Sequence, residues 1–241
     1  MDFAITTSGL TKKFNGLTAV SSLDLQVRSG EIFGLVGPDG AGKTTTLRML
    51  STAMEQSDGE ALILGLNVKT DEERIRDKIG YMPQRFSLYP DLTVDENIDF
   101  YAEIYQVKKS ELLPRKKRLL EFTNLAPFIK RRGGQLSGGM QKKLGLACNL
   151  IHTPEVLFLD EPTTGVDPIS RREFWRILYG LSGVTIIVST PYMDEAERCN
   201  RVGLIREGRL LVCDTPAEVK RRAGAKTLEE AFINLVEGAA K

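Results

Sequence analysis

The stretch Gly37 to Thr45, GPDGAGKTT, has the residue types needed to hold a chain of phosphates. It fits the pattern G-x-x-x-x-G-K-[ST], with Gly37, Gly42, Lys43 and Thr44 at the fixed places and Pro38, Asp39, Gly40 and Ala41 between them. Glycines let backbone N–H groups converge on phosphate oxygens, and a helix starting there adds the positive end of its dipole. Lys43 supplies a point charge for the outer phosphates, and the Thr44 hydroxyl is a hard oxygen donor suited to magnesium. The apolar run Ile32 to Val36 before the loop and the helical-looking Thr45 to Leu50 after it are the context such a loop requires. A glycine-rich strand-to-helix turn can also be no more than a turn.

A second group lies in VLFLDEP, Val156 to Pro162. A continuous apolar run closed by two acids suits a buried parallel strand whose carboxylates emerge at its C-terminal edge. Asp160 there can hold magnesium through water, and Glu161 can orient a water for attack on a terminal phosphate. The plain alternative is a strand followed by an acidic helix cap, and the phosphate loop in the same chain favours the metal-and-base reading. Gln84 closes the strand IGYMPQ at the sheet edge where open α/β sheets bind ligands, or is a surface amide without a role. Ser137, Gly138 and Gly139 start a helix with Ser137 as N-cap, another anion-binding geometry. Phe14, in the loop-like LTKKFNG, either stacks on a base or packs on a small sheet.

These groups need elements to carry them. The first thirty residues alternate in the β manner through Ile5, Leu10, Leu23, Leu25 and Val27, with Ser29-Gly30 as a turn. Gly59 to Gly65 reads as a strand and Glu72 to Lys78 as a short charged helix. From about 93 to 152 the spacing is helical, through Val94, Ile98, Tyr101, Ala102 and Tyr105, then Leu112, Leu119, Leu120 and Phe122. That segment ends in a helix with Met140, Leu144, Ala147, Cys148 and Ile151 on one face. A helix through Trp175 to Tyr179, a buried strand VTIIVST, a helix from MDEAERC, a hairpin at Glu207-Gly208 and two short helices follow. The expectation is one α/β domain over 1–241: a phosphate-loop ATPase core with a mostly parallel sheet, a small antiparallel β subdomain, an inserted helical subdomain at 93–152 and a tail at 214–241.

At 241 residues the chain can bury one sizeable core. Lys plus Arg number 33 against 32 Asp plus Glu, so no overall positive field points to nucleic acid. The basic clusters at Arg115 to Arg118, Lys130 to Arg132 and Lys220 to Arg222 read as solvated helix faces. Three cysteines without C-x-x-C spacing argue against a disulfide framework or zinc site and for a reducing cytoplasm. No leader-like N-terminus and no run of about 18 apolar residues is seen, so work at a membrane requires another subunit as anchor.

Together these motifs resemble the ATP-binding subunit of ABC transporters over nearly the whole chain. The aromatic loop at Phe14, Walker A at Gly37 to Thr45, the Q-loop at Gln84, the signature LSGGM at Leu136 to Met140, Walker B ending at Asp160 and Glu161, and the D-loop Gly165-Val166-Asp167 occur in the family's order. YMDEAERC and TLEEAFINLVE resemble the multidrug and lipid exporter branch, which includes ATPases with two such domains in tandem. The resemblance implies a head-to-tail dimer with ATP between Walker A of one domain and the signature of the other. Gly37 to Thr45 would then bind the phosphates, Phe14 the adenine, and Thr44, Gln84 and Asp160 the Mg2+. Glu161 would be the catalytic base, assisted by Gln84, and Ser137, Gly138 and Gly139 would face the γ-phosphate held by the opposite domain. Arg85 to Asp91, with exposed-looking Phe86, Leu88 and Tyr89, would sit near the coupling helix of transmembrane permease subunits, holding the chain at the cytoplasmic face of the membrane.

Two residues depart from the family. Pro191 stands where the switch histidine is expected, and the one histidine, His152, is far along the chain and receives no catalytic role. Proline has no side-chain donor for a γ-phosphate, so the chain's own site should hydrolyse slowly or not at all. The expected assembly is an asymmetric pair with a histidine-bearing ATPase, or else a homodimer that tolerates Pro191. Asp39 replaces the usual asparagine, and its carboxylate should weaken phosphate binding unless it is paired or points away. The rival functions are a non-transport ATPase of translation or DNA repair and an ATP-sensing regulatory module. Repair and translation ATPases usually have two domains or long coiled-coil insertions, which this sequence lacks.

Overall fold

The computed structural model describes residues 2–85 and 87–239. β1 (Phe3–Phe14) and β2 (Leu17–Arg28) form an antiparallel hairpin that turns at Asn15-Gly16, both at positive φ. β3 (Ile32–Val36) leads through the phosphate loop into α1 (Lys43–Leu50), and β4 (Asp58–Ile63) and β5 (Leu66–Asn67) return to the hairpin. α2 (Glu72–Arg76) and β6 (Ile79–Met82) precede three long helices, α3 (Val94–Ile104), α4 (Lys109–Phe122) and α5 (Gly138–Leu150). Then come β7 (Val156–Asp160), α6 (Pro168–Tyr179), β8 (Thr185–Thr190), α7 (Met193–Ala196), β9 (Arg201–Arg206), β10 (Arg209–Asp214), α8 (Pro216–Arg222) and α9 (Leu228–Ala239).

Two sheets result. The first is antiparallel, ordered β2-β1-β4-β5, and the second runs β10-β9-β3-β8-β7-β6 with every neighbour parallel except the β9-β10 hairpin. This is the mixed α/β architecture expected from the pattern. The uninterrupted apolar runs of β3, β7 and β8 are buried along their whole length, as parallel strands covered on both faces must be. Phe33, Leu35, Phe158 and Ile187 pack toward Leu47, Met49 and Leu50 of α1 and toward the antiparallel sheet. Val36, Leu157, Leu159, Ile186 and Val188 pack with Phe174, Trp175 and Leu178 of α6.

The helical segment has its own core of Val94, Ile98, Ala102, Leu120 and Leu125. α5 joins it to the sheet: Leu144, Ala147, Cys148 and Ile151 face the helical core, and Leu146 and Leu150 the sheet's core. Two sequence expectations change. Phe14 is the last residue of β1 rather than part of a loop, because β2 continues the ladder to the pair Phe14↔Leu17. Leu88 is buried in the helical core at 6% exposure instead of standing at the surface, while Tyr89 is 48% exposed and Phe86 lies outside the described residues. Among the described residues no helix is long and apolar enough to cross a membrane.

Candidate nucleotide site

Parallel register brings the site together. Val36 pairs with Thr190 and Asp160 with Ser189, so β3, β8 and β7 end on one edge and Gly37, Pro191 and Glu161 follow from it. The Gly37 N–H donates to the Thr190 carbonyl at 3.3 Å. A Cβ on Gly37 would lie 2.1 Å from the Ile205 carbonyl oxygen, so no other residue fits. Gly42 has φ 100°, and a Cβ there would meet the Ala19 carbonyl oxygen at 2.5 Å. Gly42 is also the N-cap of α1 and offers no side-chain acceptor, which leaves the first-turn N–H groups for an anion. The hairpin between β9 and β10 braces the loop, with Gly208 N–H donating to Ala41 carbonyl at 3.0 Å.

Lys43 is 4% exposed. Its ammonium donates to the carbonyls of Gly37 and Pro38 at 2.9 and 3.0 Å and lies 3.1 Å from Glu161 Oε1. Asp39 is 3.9 Å from the same ammonium at the mouth of the loop, and its side chain is 94% exposed, so water screens its carboxylate. An ion pair that exposed carries little weight.

The two acids are held from β8. Asp160 Oδ1 accepts from the Thr44 hydroxyl at 3.0 Å and the Ser189 hydroxyl at 2.7 Å. Glu161 has φ 45°, a left-handed conformation uncommon for a non-glycine residue and found where surroundings over-determine it. Here the determinant is Ser189, whose carbonyl and hydroxyl both accept from the Glu161 N–H, at 3.1 and 3.0 Å. Gln84 Nε2 donates to Glu161 Oε2 at 2.7 Å, and the Gln84 carbonyl accepts from Lys142 of α5. Burial pushes the Lys142 amine below its ordinary pKa, against the opposing pull of Asp160 and Glu161.

Asp39, Gly40, Gly42, Lys43, Thr44, Thr45, Gln84 and Glu161 line one cleft of about 330 Å³, together with Ala19 of β2. A roomier hollow of about 610 Å³ between the sheets, lined by Thr6, Asp24 and Arg201 among others, has no such glycine cradle. Thr44 hydroxyl and Asp160 carboxylate at 3.0 Å, with the Gln84 amide in the same cleft, form a hard-oxygen set that fits Mg2+. Magnesium commonly takes only one or two protein carboxylates and fills its shell with waters and phosphate oxygens.

A family model described as "ABC transporter" matches residues 20–164. The chain belongs to the ABC transporter family. It is 48% identical over 219 residues to the probable multidrug ABC transporter ATP-binding protein YbhF of Escherichia coli (strain K12), covering 89% of this chain and 38% of that protein. It is 37% identical over 228 residues to the daunorubicin/doxorubicin resistance ATP-binding protein DrrA of Streptomyces peucetius, covering 93% of this chain and 69% of that one. The chain thus spans well under half of YbhF. Among solved structures, an ATP binding subunit of an ABC transporter superposes with TM-score 0.87 at 26% identity, covering 97% of this chain and 99% of the other. A dimeric bacterial ABC transporter cassette gives 0.80 at 26% identity, covering 88% and 98%.

The remaining ABC motifs lie outside that cleft. Phe14 is 40% exposed at the hairpin tip, with the Lys12 ammonium 5.1 Å from its ring, and is not among the residues lining the cleft. Ser137 caps α5, its hydroxyl accepting from Met140 N–H at 3.4 Å. A Cβ on Gly139 would sit 2.7 Å from Ser170, whereas Gly138 has nothing within 4 Å of such an atom. Of the signature residues, then, Gly139 serves helix packing and Gly138 leaves open space. The D-loop residue Asp167 caps α6 by accepting from the Ile169 and Ser170 N–H groups at 3.0 Å, and the backbone bond from Ser170 first among these holds its carboxyl below the usual range. His152 stacks on Tyr105 with ring centroids 3.7 Å apart and bonds the Ile79 carbonyl at 2.9 Å, a packing role. Ser189 escaped the sequence reading, and its only trace there is a hydroxyl at the end of a buried apolar strand.

Proposed function

We propose that this chain is the ATP-binding and hydrolysing subunit of an ABC-type exporter, working through nucleotide-dependent dimerisation, with a weakened site of its own. The observation that carries the reading is the Lys43–Glu161–Gln84 cluster in the glycine cradle, beside a strand end where Pro191 offers no donor. Lys43 is paired with Glu161 at 3.1 Å. A triphosphate entering the loop competes for that ammonium, and Glu161 is then free to accept a hydrogen bond from a water, with Gln84 orienting it. Thr44, Gln84 and Asp160 would hold Mg2+, which would supply charge neutralisation on the outer phosphates. Phe14 supplies an aromatic face for the adenine across the domain edge.

Ser137, Gly138 and Gly139 serve ATP held by a second ATP-binding domain. Because this chain has the signature but lacks the donor at position 191, its partner is best a histidine-bearing ATPase in an asymmetric pair. Permease subunits, contacted through the segment 85–91, hold the pair at the cytoplasmic face of the membrane. The names of YbhF and DrrA favour drug-like cargo moved outward, and the near-zero net charge gives no support to a nucleic-acid partner. Pro191 also favours a second reading, a module that senses ATP without turning it over. Affinity purification of the tagged chain from detergent-solubilised cells tests the proposal. A multi-span membrane protein should come with it, and the complex should release phosphate from ATP. Recovery with ribosomes or DNA sinks the exporter reading, and ATP crosslinking without phosphate release favours the sensor.

A further inference from the structure

Glu195 is the most deeply buried carboxylate outside the cleft, its side chain only 1% exposed. A carboxylate removed from water persists only where it is paired and hydrogen-bonded. Its partners come from three separate segments. The Thr163 hydroxyl donates to Oε1, the Thr190 hydroxyl donates to Oε2 at 2.7 Å, and Arg171 Nε lies 3.5 Å from Oε1. Each partner leads to a functional segment. Thr163 follows the Walker B acids, and its carbonyl accepts from Val166 N–H of the D-loop at 3.1 Å. Thr190 ends β8, and its carbonyl accepts from Gly37, the first residue of the phosphate loop. Arg171 stands on α6 just after the D-loop, its guanidinium 4.9 Å from the Tyr192 ring.

The three arms are not equally closed. Arg171 Nε is buried and makes no hydrogen bond, so the arm nearest the D-loop is an ion pair left short of contact. An unmet buried donor is costly, and a small movement of α6 toward Glu195 would satisfy it. We infer that Glu195 is a positioning residue that ties the D-loop to the phosphate loop, so that nucleotide in this chain's own loop orders residues 163–171. The inference rests on the reading that the loop binds ATP. Glu195 touches no substrate and takes no part in a chemical step.

Hydrogen exchange on the purified full chain, with and without Mg2+ and the fluorescent analogue trinitrophenyl-ATP, tests it, with the analogue's affinity measured in parallel. In the unaltered chain, nucleotide should slow exchange in both 37–45 and 163–171. In Glu195→Ala, affinity should stay within about two-fold and 37–45 should remain protected, while slowing in 163–171 falls by about five-fold or more, the range of ordinary site coupling. Glu195→Gln retains volume and some bonds to the threonine hydroxyls, and serves if the alanine variant does not fold. Unchanged protection of 163–171 in either folded variant overturns the inference. So does a wild-type chain in which only 37–45 responds, and that outcome leaves ATP binding intact. A wild-type chain that binds no nucleotide overturns the ATP-binding reading together with this one.

Discussion

Lys43 and Glu161 form a buried ion pair at 3.1 Å in the cleft, and the proposed function turns on it. Lys43→Ala removes the point charge from a buried loop, and a hydrogen bond to a charged group is worth about 1.5–3 kcal/mol, so ATP affinity should fall by about ten- to a hundred-fold in isothermal titration calorimetry. An affinity equal to the parent's would place the phosphates elsewhere. Lys43, Thr44, Asp160 and Glu161 were legible in the sequence because their chemistry is tied to short fixed spacings next to apolar strands. Ser189 and Glu195 were not. Ser189 acts on an aspartate 29 residues away, and Glu195 joins Thr190, five residues back, to Thr163, 32 residues back, a link that no short motif marks. Asp39 could be read either way from the sequence, and in the structure it stands at the cleft's solvent-exposed mouth, 3.9 Å from Lys43.

Among the elements, α5 does the most to connect functions, since it begins at the signature and packs into both the sheet's core and the helical core. Its close approach to α6 depends on Gly139. Gly139→Ala puts a Cβ 2.7 Å from Ser170, and overpacking of this kind costs about 1–3 kcal/mol in denaturant unfolding. Ser170→Gly in the same chain should return part of that loss, and failure to do so would mean the contact is not the cause. His152 fixes the end of α3 to β6 through Tyr105 and Ile79. Burial pushes its imidazole below the ordinary 6.5, so the neutral form is favoured in the folded chain. Its stabilising contribution is therefore fully present above pH 6.5 and is lost as pH falls through the lowered value. As the one histidine, its NMR titration gives that value directly, and a midpoint at or above 6.5 contradicts the assignment.

Strand identities were legible wherever an apolar run is buried on both faces, as in β3, β7 and β8. They were less so at Phe14, where charged Lys12 and Lys13 suggest a loop but the β2 ladder extends the strand. Leu88 misled for a related reason. A short segment rich in turn residues looks exposed until α3 folds over it and draws its one large aliphatic side chain inward.

Taken as one body, the chain carries a phosphate cleft on one strand edge and a signature helix start that does not line it. That separation is what a paired assembly requires, and composition alone could not reveal it. The proposal of an asymmetric pair rests on Pro191, which is legible in the sequence. We propose that this chain binds ATP in its own loop and turns it over poorly for want of a donor at position 191. Single-turnover hydrolysis of ATP by the purified chain, compared with Pro191→His, tests this most directly. A missing oxyanion-type donor costs about 10²–10³ in rate, so the histidine variant should be faster by at least about ten-fold at unchanged ATP affinity. Brisk hydrolysis by the unaltered chain, with no gain in the variant, would show that Pro191 does not limit turnover.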